Sequence, residues 1–213
     1  MLVIAALFLI FLYAPEESEM GNVQRIFYFH VPSAWVGFLA FSITFVCSIA
    51  YLWKGTSGWD HVAHCSTELG LIFTTLVLIT GPIWAKSAWG IWWTWDVRLT
   101  TTLILWIIYL AYLMVRSFST SESQGARFAA VIGIVGFINI PITFMAVNWW
   151  ETQHPGQPAL ESGGLEASMR FVLFFCIAAF TVLYVTLLRQ RLAVKRSEAD
   201  LKRLQDIAEL KRR

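Results

Sequence analysis

Apolar positions along the chain fall in long blocks, not in the alternation of half-buried strands or the stripes of water-facing helices. Five blocks, 31–53, 66–84, 99–115, 128–147 and 171–188, lie within the roughly 17–25 residues a helix needs to cross a hydrocarbon core about 30 Å thick. A sixth, 1–14, is apolar throughout but reaches only about 21 Å at about 1.5 Å per residue. It has neither the basic start nor the small-residue cleavage site of a signal peptide. The pattern therefore predicts an all-α membrane protein with six transmembrane helices, the first beginning at the edge of the chain. Inside the fifth span, Asn139-Ile140-Pro141 predicts a kink, because proline removes a backbone donor and crowds the preceding turn.

Polar residues between the blocks orient the bundle. With six spans, one side holds Lys54, Arg116, Arg127 and nine basic residues of the tail; the other holds Arg25, Lys86, Arg98 and Arg170. The positive-inside bias puts both termini in the cytoplasm. Segments 15–30, 85–98 and 148–170 then face outward and contain most of the unusual residues. Residues 1–190 form the membrane domain. From 191 to 213 the chain becomes a charged cytoplasmic helix or tail without Gly or Pro, with Leu201, Leu204 and Ala208 at helical spacing. A solvated amphipathic helix is the ordinary account of this stretch; a docking helix for a cytoplasmic partner is the sharper one.

Composition narrows the function. Of 213 residues, 57% are hydrophobic and 14% charged, against about a quarter charged in soluble domains, which argues against a water-soluble enzyme. A net charge of +2 is too small for nucleic-acid binding. Cys47, Cys65 and Cys176 are far apart and form neither a disulfide framework nor a C-x-x-C-H haem-attachment motif. Eleven tryptophans are more than membrane anchoring calls for.

Five of the eleven fall in 84–98, one closing the third span and four in the outward segment that leads to the fourth. Interfacial anchoring accounts for Trp84 at the end of its span. It does not account for Trp89, Trp92, Trp93 and Trp95 together. On a helix, Trp89, Trp92 and Trp93 stand at i, i+3 and i+4 and form one aromatic face suited to a large flat apolar ligand. Gly90 within the run permits close approach. Asp96 is a natural N-cap for the next span. Arg98 either pairs with Asp96 or meets an anionic group on a ligand, and Lys86 flanks the run on its other side. A flat apolar ring with a negatively charged edge describes a porphyrin with its propionates.

His30 and His154 lie in two other outward segments. Each alone is an ordinary interfacial histidine, but together beside an aromatic platform they can supply both axial ligands to a haem iron. His61 and His64 fall in a short inward segment with no adjacent third and fourth ligand, so a solvated loop is expected there and no metal site is assigned. Glu68 is expected to be a partly exposed charge near a span's end. No phosphate-binding loop, H-E-x-x-H, nucleophile elbow or dinucleotide fingerprint is present. That argues against the chain powering or catalysing a reaction alone.

Trp-Gly-Ile-Trp-Trp-Thr-Trp-Asp-Val-Arg-Leu-Thr (89–100) resembles the WWD signature of bacterial haem-handling membrane proteins. Together with Arg-Ile-Phe-Tyr-Phe-His-Val-Pro (25–32), Asn-Ile-Pro-Ile (139–142) and Trp-Trp-Glu-Thr-Gln-His (149–154), it resembles one branch, the cytochrome c maturation protein C (CcmC) family. The resemblance runs from about 14 to 189. It implies six helices in the bacterial inner membrane, with the WWD motif (84–100) in a periplasmic segment. It also implies haem b as a transient cargo, held between that motif and axial ligands at His30 and His154. The implied function is haem binding and delivery for c-type cytochrome biogenesis, without enzymatic activity. The implied partners are an ABC-type ATPase subunit, a second membrane subunit, a small single-span subunit and a periplasmic haem chaperone that receives the haem. A permease moving haem across the bilayer is the alternative reading.

Overall fold

The computed structural model describes residues 1–17, 20–150 and 165–212. Among them, regular secondary structure is helical apart from one isolated bridge between Glu17 and Gly21. The chain opens with α1 (Leu2–Phe8), which runs into a π-helical turn over Leu9–Tyr13. After a 3₁₀ turn (Asn22–Ile26) follow α2 (Phe27–Lys54), α3 (Ser57–Trp89), α4 (Val97–Phe118), α5 (Glu122–Phe137), α6 (Asn139–Trp149) and α7 (Ala167–Arg212).

Five helical stretches are long and apolar enough to cross a membrane: Asn22–Lys54, Ser57–Trp89, Val97–Phe118, Glu122–Trp149 and Ala167–Leu201. The chain is a multi-pass membrane protein. The sixth expected span corresponds to the apolar helix Leu2–Tyr13, about 18 Å long and shorter than a bilayer core. Its Ala6 and Ile10 are buried in a cluster with Tyr28 of α2 and Val172, Leu173 and Cys176 of α7.

The break between α5 and α6 follows the expected kink. Pro141 cannot donate to the carbonyl four residues back, and α5 ends at Phe137 with α6 starting at Asn139. The Asn139 side chain donates to the Thr101 carbonyl at 2.7 Å, using the break to tie α6 to α4.

The centre of the bundle is α2, which packs along α3 and also touches α5 and α7. Small residues bring α2 and α3 together, as in membrane helix pairs generally. A Cβ on Gly70 would lie 2.6 Å from the Phe41 ring and 3.1 Å from Ala40 Cβ. Buried hydroxyls complete the seam. Thr44 and Thr67 lie 3.0 Å apart, and Ser66 meets the Tyr184 hydroxyl at 2.7 Å while donating to the Ala40 carbonyl.

One expectation changes at the α2–α3 turn. His61 and His64 are not in a loop: α2 stops at Gly55, whose φ of 67° suits glycine, and α3 has begun by Ser57. Residues beyond 190 are helical, as their apolar spacing suggests, and continue α7 without interruption to Arg212. Glu68 is partly exposed, as expected, and accepts from Arg191 Nε at 2.7 Å and Nη2 at 3.0 Å, with His64 Nε2 at 3.4 Å. Nearby, the Arg116 guanidinium makes a two-pronged ion pair with buried Asp60.

Candidate functional site

At the opposite end of the bundle from these ion pairs, α2, α3, α4 and α6 enclose an apolar cavity of about 120 Å³. Its wall includes His30 and Phe38 of α2, Thr74, Trp84 and Trp89 of α3, and Arg98 of α4. Trp93, from the segment between α3 and α4, also lines it. Four residues expected from sequence thus converge here: His30, Trp89, Trp93 and Arg98.

Local sequence explains the convergence. His30 lies in the first turn of α2 and is only 8% exposed. Its Nδ1 is 2.9 Å from Thr80 Oγ1, and its ring meets the Trp84 ring edge-on at 5.9 Å. A Cβ at Gly81 would stand 3.3 Å from His30 Cε1, so glycine leaves room for the imidazole against α3. Trp84 Nε1 donates to Met20 Sδ at 3.4 Å, which fixes the indole beside the histidine.

The aromatic run does not form a helical face. α3 ends at Trp89, Gly90 adopts φ +76°, and α4 starts only at Val97. A left-handed glycine after a helix stops it, and the preceding turn supports the stop: Lys86 Nζ donates to the Gly90 carbonyl at 2.8 Å. Trp92 and Trp93 therefore leave the helix axis instead of stacking above Trp89. Trp93 turns into the cavity wall, Trp92 is 57% exposed and Trp95 76% exposed. Trp93 and Trp95 still touch, ring centroids 5.7 Å apart in a T-shaped contact. Gly90, Trp92, Trp95, Asp96 and Lys86 do not line the cavity.

Asp96 is the N-cap of α4, Oδ1 accepting from the Leu99 backbone N–H at 2.9 Å. It does not pair with Arg98, which makes no ion pair among the described residues. Arg98 Nη1 and Trp93 Nε1 are both buried without a hydrogen-bond partner among those residues. Each is a strong donor, and an unpaired buried donor costs roughly 1–3 kcal/mol. Both donors stand on the wall of the same cavity, where any acceptor that meets them lies outside the described residues. His154 lies outside the described residues, between the end of α6 and the start of α7.

Sequence reasoning missed Thr80, Gly81 and the role of Trp84. Gly81-Pro82 near the end of an apolar block was the available signal for irregular packing, but the contact with His30 spans fifty residues.

Comparison with known proteins bears on the same residues. The family model described as "Heme exporter protein C" (CcmC) matches residues 1–205. The chain belongs to this family. Heme exporter protein C of Bradyrhizobium diazoefficiens is 35% identical over 201 residues, covering 91% of this chain and 73% of its own length. The Haemophilus influenzae protein of the same name is 35% identical over 193 residues, 88% of this chain and 78% of its own. A ccmC-like mitochondrial protein of cytochrome c biosynthesis from Marchantia polymorpha is 35% identical over 176 residues, 82% of this chain and 75% of its own. The match covers all the cavity residues, so the family resemblance and the geometry concern the same part of the molecule.

Proposed function

We propose that this chain is a haem-binding and haem-delivery subunit of c-type cytochrome biogenesis that holds haem b as cargo and does not itself catalyse a reaction. One observation carries the reading: His30 shares an apolar cavity with two buried donors, Trp93 Nε1 and Arg98 Nη1, that have no partner among the described residues. Haem offers a complement to each. Its iron takes an imidazole, its ring takes aromatic and aliphatic walls, and its propionates take a guanidinium and an indole N–H.

In this reading His30 is one axial ligand and His154 the other. Trp89 and Trp93 stack against the porphyrin, and Arg98 binds a propionate. The cavity is smaller than the roughly 300–1,000 Å³ of ligand pockets that enclose their occupant, so haem enters edge first. Trp92 and Trp95, on the non-helical segment after Gly90, then close over its exposed face. Lys86 is exposed at the same rim and offers a second propionate contact, at the expense of its bond to the Gly90 carbonyl. Asp96 fixes the start of α4, and through it the position of Arg98. Below the cavity floor the close α2–α3 seam at Gly70 and Phe41 fills the interior, which favours delivery from one face over passage through this bundle.

With the cavity end outward, both termini are cytoplasmic, the short first helix counts as the sixth span, and the protein sits in the bacterial inner membrane. Its partners are an ABC-type ATPase, a second membrane subunit and a small single-span subunit. A periplasmic chaperone takes the haem by competing for the iron or the porphyrin.

The test is the absorption spectrum of purified protein titrated with haem b. The parent shows low-spin, two-histidine bands. Changing His30 and His154 together to Ala abolishes them; unchanged haem content and bands in that variant overturn the ligand assignment.

A further inference from the structure

We infer that Thr80 is the positioning residue of His30: it sets which imidazole nitrogen carries the proton and turns the other toward the cargo. The inference rests on the reading of His30 as an iron ligand and adds what makes it one.

The argument counts protons. Thr80 Oγ1 lies 2.7 Å from the Leu76 carbonyl, one turn earlier on α3, and 2.9 Å from His30 Nδ1. A carbonyl can only accept, so at 2.7 Å the single hydroxyl hydrogen of Thr80 points at Leu76. The face of Oγ1 toward His30 is then a lone pair. His30 Nδ1 must carry a hydrogen and donate it, which in the neutral ring leaves the lone pair on Nε2. Metal-bound histidines generally gain their fixed tautomer and added basicity from such an acceptor on the second nitrogen. Here a membrane helix supplies it with a hydroxyl, whose own proton is already committed to that helix.

The next residue completes the cradle. Gly81 lies beside His30 Cε1, where a Cβ would come within 3.3 Å. Trp84, one turn on, meets the same ring edge-on. Thr80 holds one nitrogen, Gly81 leaves the ring room, and Trp84 limits its rotation. The three lie within five residues of α3, so this stretch of helix works as a mount for a side chain on α2.

The experiment uses the full-length chain in detergent, titrated with haem b, with two readouts: binding affinity and the ferric/ferrous midpoint potential. Thr80→Val keeps the shape but removes the acceptor. It is expected to weaken haem binding about 10-fold, the lower end of the effect of such partners on metal affinity. It is also expected to raise the midpoint potential, because a less basic imidazole favours ferric iron less. Thr80→Ser keeps both hydrogen bonds and is expected to retain the parent values. Parent-like affinity and potential in Thr80→Val overturn the inference, and so does a Thr80→Ser variant as impaired as Thr80→Val. A cycle with His30→Ala separates this inference from the reading beneath it. If His30→Ala weakens binding and Thr80→Val adds nothing in that background, both stand. If Thr80→Val weakens binding equally in both backgrounds, Thr80 does not act through His30, and only the ligand reading survives. If His30→Ala leaves both readouts at parent values, both are overturned. A helical melting curve for each variant identifies any that misfold; if Thr80→Val does, Thr80→Ala, which also removes the acceptor, takes its place with the same expected losses and the same overturning result.

Discussion

The two ends of the helix bundle treat the two arginines of α4 in opposite ways. At one end Arg116 is matched by Asp60, and Arg191 by Glu68 with His64 close by. At the other, Arg98 and Trp93 bury donors that no described neighbour satisfies. Arg116 and Arg191 thus have carboxylate partners within the bundle, whereas Arg98 has no ion-pair partner among the described residues. Completed pairs hold helices together; in the proposed reading, the guanidinium left over is a contact for the cargo. Identity of residue does not separate these roles, since Arg98 and Arg116 are both arginines on α4, eighteen positions apart.

The largest expected effect tests the completed end. Arg116→Ala strands the Asp60 carboxylate between α3 and α4 and should lower stability by about 3–5 kcal/mol, read as a loss in thermal midpoint. Replacing both partners with apolar residues, Asp60→Leu with Arg116→Met, should recover most of that loss. Haem affinity of the folded fraction should stay at the parent value. A drop in that affinity equal to the one at the cavity end would remove the distinction between the two ends.

Next comes His30→Ala, expected to lose the two-histidine bands and to weaken haem b binding at least about 10-fold. Helix content should not change. Arg98→Met follows, with a deficit of about 1.5–3 kcal/mol in haem binding, the range for a hydrogen bond to a charged group. Its melting temperature without haem should hold or rise, because the variant removes an unpaired buried donor. A melting temperature that falls as for Arg116→Ala would show Arg98 to be structural. The smallest effect belongs to Asp96→Ala. Losing this N-cap should cost about 1 kcal/mol in stability and change haem binding only as far as the start of α4 shifts.

The spans were legible because burial in lipid writes itself as composition, and the Asn139–Pro141 break was legible because proline's chemistry is local. The platform was misjudged where two local rules competed. The i, i+3, i+4 spacing of Trp89, Trp92 and Trp93 suggested a helix, but Gly90 with Lys86 in the preceding turn is a helix-ending pattern, and it prevailed. The same effect let Trp93 reach the cavity while Trp92 did not. Asp96 was readable as a cap because a cap lies within three residues of what it bonds. His30–Thr80 and Asp60–Arg116 were not readable, since each joins separate helices and depends on their relative rotation. The sequence displays such residues but not their meeting.

The uninterrupted course of α7 has a mechanical consequence. Its 46 residues, Ala167 to Arg212, make a rod about 69 Å long, more than twice the thickness of a bilayer core. A rod of that kind transmits displacement as tilt. Its first half is seated against α1 and α2, and the Arg191–Glu68 contact ties it to α3 near its midpoint. Anything that bears on its far half therefore meets the membrane bundle through that contact and the packed half of α7 beyond it.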